Sequence, residues 1–273
     1  MDGEDKVALM IEEEVKRVFK GEIIGREIIF FPLTSSTNDK AMEIAEKLKN
    51  PEGIVLVADA QERGRGRLGR KWVSPPGVNL YFTVLLTPPF PPKEASLLTL
   101  MSALAVASAI KEYTGLNATL KWPNDILIGG KKLGGILLEM RSEMQRIIFV
   151  AIGIGVNVNL TLDMLPEDIR GLSTSLREEK GEPIDRVRLL RHILSSLQYY
   201  YKILLGRDKK VLIDEWLRLD STLGNKVSVQ TPGSIISGIA EGIDDDGALI
   251  LRLPSGATEK VYGGDVTILK GSS

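Results

Sequence analysis

The sequence predicts an α+β protein: a central mixed or antiparallel sheet with helices, followed by a small C-terminal β-barrel. Three observations carry that expectation. Strand-length apolar runs and helix-length amphipathic runs alternate from residue 27 to residue 220. Helical patterning then stops, and residues 222–270 hold only short β-patterned runs, with Asp246-Gly247 as a hairpin signal. Finally, 273 residues can bury one large core and a small second one. The expected units are an N-terminal extension (1–22), a main domain (23–221) and the barrel (222–273).

Taken in order, residues 4–19 read as an amphipathic helix with Val7, Met10, Ile11, Val15 and Val18 on one face. Residues 27–31 read as a strand. Ser35-Ser36-Thr37-Asn38-Asp39 precedes a helical stretch to Lys49, and its hydroxyls and amide suit N-capping or a small polar ligand at the helix N-terminus. Strands follow at 54–60 and 79–87, then a long helix at 94–113 whose small residues allow close packing on a sheet. Pro123 keeps Trp122 out of the helical region, so Lys121-Trp122 ends a strand and Asn124-Asp125 starts a turn. Gly129-Gly130 reads as a hairpin tip between that region and a strand running to Met140. A further strand, 146–159, carries Gly153 and Gly155, where glycine marks close backbone approach. Helices at 185–205 and 208–220 lead into the barrel strands at 227–229, 235–243, 248–253 and 259–261.

Positive charge is concentrated in one stretch. Residues 61–72 hold Arg63, Arg65, Arg67, Arg70 and Lys71 against Glu62, in a chain of formal net charge -1. Gly64, Gly66 and Gly69 are interspersed. Glycine lets backbone N–H groups approach a ligand closely, and arginine forks match carboxylate and phosphate oxygens. The stretch is therefore either an anion-closing loop or a solvated basic loop. Its Gly-x-Gly-x-x-Gly spacing also matches the dinucleotide fingerprint, but Pro75-Pro76 and a strand follow where a helix is required, with no acid at the required distance.

Composition excludes several chemistries. There is no cysteine, so disulfides, thiolate metal sites and a cysteine nucleophile are absent, and the single histidine, His192, cannot build a multi-histidine site. The acidic N-terminus argues against a secretory signal, and apolar runs such as 147–158 are too short to span a bilayer. A cytoplasmic protein is expected, with no membrane partner. Near-zero net charge gives no footprint for nucleic acid.

The ordered set Gln-x-x-Gly-Arg-Gly-Arg-x-Gly-Arg-x-Trp (61–72), Lys-Trp-Pro-Asn-Asp (121–125), Lys-Lys-Leu-Gly-Gly-Ile-Leu (131–137) and Gly-x-Gly-Val-Asn-Val-Asn (153–159) resembles biotin protein ligase. The Ser-Thr-Asn segment and the C-terminal module fit too, so the resemblance covers about residues 26–269. It implies a class II synthetase-like catalytic domain with an SH3-like barrel. The implied reaction makes biotinyl-5′-AMP from biotin and Mg-ATP, then biotinylates a lysine of a biotin carboxyl carrier protein. Ser36, Thr37, Asn38 and Gln61 would border the ureido ring. Gly64, Arg65, Gly66, Arg67, Lys132 and Gly135 complete the implied biotin site, with Arg67, Lys132 and Asp125 as catalytic groups. Arg65, Arg67, Arg70, Trp72, Asn124, Lys132 and Asn157 would meet ATP, with Asn124 and Asp125 near Mg2+. A homodimer is part of the resemblance.

The residue chemistry is consistent with this. Two unit charges about 4 Å apart repel by roughly 1 kcal/mol in water and about 4 kcal/mol at an effective dielectric of 20. Cations must cancel that repulsion when a carboxylate attacks a phosphate. Lipoate ligase, or a non-catalytic biotinyl-AMP sensor, are the competing readings. Some family members carry a DNA-binding domain, and residues 1–20 are too few for one; no repressor role is expected.

Overall fold

A computed structural model of the protein describes residues 13, 14, 17, 20–231 and 233–269. The helix expected at 4–19 lies mostly outside the described residues.

The main sheet has seven strands in the order β1-β2-β3-β7-β6-β5-β4. These are β1 (Glu27–Thr34), β2 (Ile54–Gln61), β3 (Leu80–Leu86), β4 (Thr119–Lys121), β5 (Asp125–Ile128), β6 (Lys131–Glu143) and β7 (Arg146–Val156). Only β1 and β2 pair in parallel; the other neighbours are antiparallel, so the sheet is mixed as expected. The parallel step is crossed by helix α1 (Thr37–Ala45).

Strand alternation builds a core on each face. In β2, Val55 and Val57 point into the larger core, while Ile54 and Leu56 point into the smaller one with Ala41 and Ala45 of α1. The larger core is closed by α2 (Ala95–Thr114), α5 (Arg186–Leu205) and α6 (Lys209–Leu217). Helix α2 is apolar and long enough to cross a membrane, but it is buried here against α5 and the sheet. Between β7 and α5 lie two short helices, α3 (Glu167–Arg170) and α4 (Leu176–Lys180), in a stretch without clear periodicity in the sequence.

The C-terminal module is a five-stranded antiparallel sheet ordered β11-β10-β9-β8-β12. Its strands are β8 (Lys226–Thr231), β9 (Ser234–Ile243), β10 (Leu249–Arg252), β11 (Thr258–Val261) and β12 (Asp265–Ile268). It is fastened to the main sheet. The Trp122 indole N–H donates to Gly247 O at 3.1 Å, and the Trp122 amide donates to Thr222 Oγ1 at 2.9 Å.

Some expected boundaries shift. Helix α1 ends at Ala45, four residues before Lys49, because Leu48 beyond it is exposed and finds no core. Strand β7 stops at Val156, where the asparagines turn to other work: the Asn157 amide donates to Leu133 O and Asn159 Nδ2 to Ile184 O. Asp125 opens strand β5 and the turn precedes it.

Candidate functional site

The end of β2, the start of α1, strands β5–β7 and the 165–173 segment surround a cavity of about 790 Å3, and β12 of the C-terminal module closes one side. Ser36, Thr37, Asn38, Gln61, Arg65, Gly66, Arg67, Arg70, Trp72, Asn124, Asp125, Lys132, Gly135 and Asn157 all line it. Gly64 does not. It sits behind Trp72, where a Cβ would lie 2.3 Å from the Trp72 carbonyl oxygen.

One end is polar and tightly built. Ser36 is the N-cap of α1 by position, yet its side chain caps nothing. Gln61 takes over: the Thr37 amide donates to Gln61 Oε1 at 2.9 Å, and Gln61 Nε2 donates to Ser74 Oγ at 3.0 Å. The capping expectation for this turn therefore fails, because a side chain from β2 satisfies the helix terminus and leaves the Ser36 hydroxyl facing the cavity. Asn38 is buried. Its Nδ2 donates to Leu137 O at 3.2 Å and to Glu139 Oε2 at 2.9 Å, and its Oδ1 accepts from the Thr83 hydroxyl at 2.7 Å. Gly153 lies beneath it: a Cβ there would come within 2.2 Å of Asn38 Oδ1. A glycine is required for β7 to pass so close.

Residues 61–72 form a compact flap. The Gly66 amide donates to Arg70 O at 2.7 Å and the Trp72 amide to Gly64 O at 2.9 Å, which makes a small hairpin. Its tip passes through left-handed conformations at Leu68 (φ 53°) and Gly69 (φ 73°). Trp72 then lies on β7, where a Cβ on Gly155 would sit 2.7 Å from the indole. The indole Nε1 is buried without a hydrogen-bond partner.

The cations are not equivalent. Arg65 pairs with Asp39 at 2.7 Å and also with Glu139. Arg70 pairs with Asp265 of β12. Arg67 instead donates to a neutral group, Asn124 Oδ1, at 2.9 Å. Burial holds Arg67 below the usual guanidinium range, and the Asp125 and Asp265 carboxylates offset part of that effect. Asp125 is gripped on both oxygens: Lys132 Nζ at 2.6 Å and Lys121 Nζ at 3.4 Å. Lys132 also lies 5.8 Å above the Trp72 ring centroid. At the far end, Asn157 Nδ2 donates to Thr174 O at 3.0 Å.

The same positions bear on a metal. Among the described residues no group of three or more histidines, cysteines or carboxylates could hold an ion. Asp125 is occupied by two lysines and Asn124 Oδ1 by Arg67, so the two residues expected near Mg2+ present no free ligand set in this arrangement.

Around the site stand groups that the sequence did not single out: Lys121 and Asp265 line the cavity, while Asp39, Thr83 and Glu139 stand behind its wall. Lys121 was readable, since it stands inside the Lys-Trp-Pro-Asn-Asp motif. Glu139 stands two and four residues beyond Leu137 and Gly135, on the same face of β6, so strand periodicity could have found it. Asp39 stands in the Ser-Ser-Thr-Asn-Asp segment with nothing local to mark its pairing with Arg65, and Thr83 and Asp265 carry no local signal. Leu165, Ile169, Leu172 and Ser173 line the cavity because Lys132 N donates to Leu172 O at 2.8 Å and Thr174 N to Lys132 O at 2.9 Å.

Residues 30–157 match the biotin/lipoate A/B protein ligase family, and residues 222–269 match the biotin protein ligase C-terminal domain. The chain is 36% identical over 263 residues to the bifunctional ligase/repressor BirA of Bacillus subtilis, covering 96% of this chain and 80% of that protein. The chain belongs to the biotin protein ligase family. It is also 31% identical to the biotin–[acetyl-CoA-carboxylase] ligase of Mycobacterium tuberculosis, over 93% of this chain and 96% of that one. Its fold matches the Aquifex aeolicus biotin protein ligase solved in complex with biotin and ATP, with a TM-score of 0.75, 30% identity, and coverage of 90% and 100%. For a biotin protein ligase, the cavity is the place to look for the two substrates.

Proposed function

We propose that the cavity joins biotin and ATP into biotinyl-5′-AMP with release of pyrophosphate, and then passes the biotinyl group to a lysine of a biotin carboxyl carrier protein. The observation that carries this reading is the group Arg67, Lys132 and Lys121, which faces one cavity between the Gln61–Asn38 end and the Asn157 end.

Ser36, Thr37, Asn38 and Gln61 offer donors and acceptors for the ureido ring, and the glycines of β7 make room for Asn38 and the Trp72 indole that border it. The biotin carboxylate oxygen attacks the α-phosphorus, and the bond to pyrophosphate breaks. Arg67 and Lys132 neutralise the charge that gathers there. Arg67 is suited to this because its hydrogen-bond partner, Asn124, is neutral and no carboxylate pairs with it directly. Asn157 borders the adenosine. Trp72 supports the flap that keeps water from the mixed anhydride. Mg2+ enters as the ATP complex, consistent with its preference for phosphate oxygens and water over an all-protein cage.

Transfer needs a neutral acceptor amine, whose ordinary pKa is about 10.4. We assign its orientation or deprotonation to Asp125. Asp125→Asn should slow transfer of preformed biotinyl-AMP by about 100-fold in a single-turnover assay; wild-type transfer would remove Asp125 from the step.

Lipoate is disfavoured by the C-terminal module, which matches a biotin ligase domain. A silent sensor is disfavoured by the intact cationic centre. Homodimerisation and a cytoplasmic setting belong to the same proposal and rest on the resemblance; sedimentation tests the first. No operator binding is proposed, and a gel shift would reverse that. The deciding experiment is mass spectrometry of a carrier domain incubated with this protein, biotin and Mg-ATP. One added biotinyl group is expected, and an unmodified carrier overturns the assignment.

A further inference from the structure

We propose that Asp39 and Glu139 form an acidic clasp for Arg65 that holds the flap shut over the biotin end of the cavity. They act as positioning residues. Asp39 belongs to the first turn of α1 and Glu139 to β6, and both converge on the same guanidinium nitrogen, Nη2 of Arg65.

The charge balance makes the contact specific. Two carboxylates converge on one guanidinium. Swinging Arg65 away leaves Asp39 and Glu139 beside each other without their shared counter-ion, and like charges at short range repel. The open flap is thus disfavoured on the sheet side as well as the flap side. Glu139 has a second task. The oxygen that binds Arg65 also accepts Asn38 Nδ2 at 2.9 Å, and Asn38 continues to Thr83 at 2.7 Å. Thr83 in turn lies 2.8 Å from Thr37 Oγ1. The clasp is therefore continuous with the residues proposed for the ureido ring, and a ligand that orders them also sets Glu139 for Arg65.

The pairs are weak by design. Their side chains are 30–39% exposed, so salt screens them and each contributes modestly. A flap that must open in every turnover needs a latch of that strength. Arg65 and Arg67 then divide the labour: one closes the flap, the other meets the anion. The functional consequence rests on the adenylate reading above, while the clasp itself does not.

The flap carries its own probe, since Arg63, Arg65, Arg67, Arg70 and Lys71 are trypsin sites. In the full chain without ligand, Asp39→Asn with Glu139→Gln should raise nicking within residues 61–72 about fivefold at low salt, as expected for loss of two part-exposed ion pairs. Added salt should speed flap nicking of the wild type more than that of the double variant, which retains only the Arg70–Asp265 pair. In turnover, that variant should release about fivefold more biotinyl-AMP into solution per biotin transferred, with its adenylation kcat within about twofold of wild type. Unchanged flap nicking overturns the clasp. So does faster nicking spread evenly along the chain, which would mark a purely structural role. If wild type makes no biotinyl-AMP, the proposed function falls, and the ligand-free nicking still decides the clasp. Asp39→Asn alone, which leaves the Asn38–Glu139 bond in place, guards against a fold defect in the double variant and should show an intermediate, salt-sensitive rate.

Discussion

The floor and the flap of this cavity solve the same positioning problem with different physics. The floor is made of β6 and β7, paired from Gly134 to Glu143 with one register shift after Arg141, and packed so closely under the Asn38 and Trp72 side chains that Gly153 and Gly155 admit no Cβ. The flap is held by arginines whose partners are part-exposed carboxylates on three separate elements: Asp39, Glu139 and Asp265. Close packing fixes geometry at all salt concentrations, whereas exposed ion pairs hold a conformation only loosely and reversibly. The immobile part can therefore recognise biotin while the releasable part admits and retains it. Arg67 is the exception within the flap, being partly desolvated and bonded to a neutral asparagine.

That contrast can be broken or sharpened by substitution. Arg67→Ala should cost the most, lowering biotinyl-AMP formation by about 10²–10³-fold in pyrophosphate exchange with the thermal midpoint unchanged. An activity near wild type would erase the distinction drawn within the flap. Gly153→Ala should come next. Its Cβ would meet Asn38 Oδ1 at 2.2 Å, so Asn38 must move, and biotin affinity should fall about 100-fold in calorimetry at every salt concentration. A salt-dependent loss would deny the floor its rigidity. Asp265→Asn should have a smaller effect, about threefold on adenylate formation and only at low ionic strength, because it frees Arg70 alone. The smallest effect at neutral pH belongs to Tyr200, far from both regions. Burial is the main cause that pushes its hydroxyl from 10.0 up to about 12, with Glu215 adding to the shift. A raised folded value means that this contribution to stability is intact below pH 10 and is lost as pH climbs from 10 towards 12. Tyr200→Phe should flatten that part of the alkaline unfolding curve while leaving activity alone.

The sequence revealed the floor better than the flap's fastenings. Strands β2, β3, β6 and β7 announce themselves by apolar alternation, and the glycines and asparagines of β7 stand in a fixed local order. The flap was visible as a density of charge, but its closure depends on Asp39, Glu139 and Asp265, which pair across the fold with arginines far away in the chain. No local pattern marks such partners. Ser36 shows the opposite error: its local preference is to cap α1, and Gln61 from another strand takes that position instead. The 160–184 region was silent because its short helices have too few turns to impose a period, and backbone bonds to Lys132 hold part of it in place.

Trp122 adds a consequence for how the protein comes into being. Its indole is fully buried, and its N–H finds an acceptor only at Gly247. During synthesis, residues 121–125 leave the ribosome long before that carbonyl does. Until residue 247 has been added, the indole N–H lacks the partner that it has in the folded chain, although the main-domain core already surrounds the ring. The C-terminal module is thus part of the support beneath residues 121–125, and removing it would leave a buried indole N–H unpaired next to the Lys121–Asp125 pair.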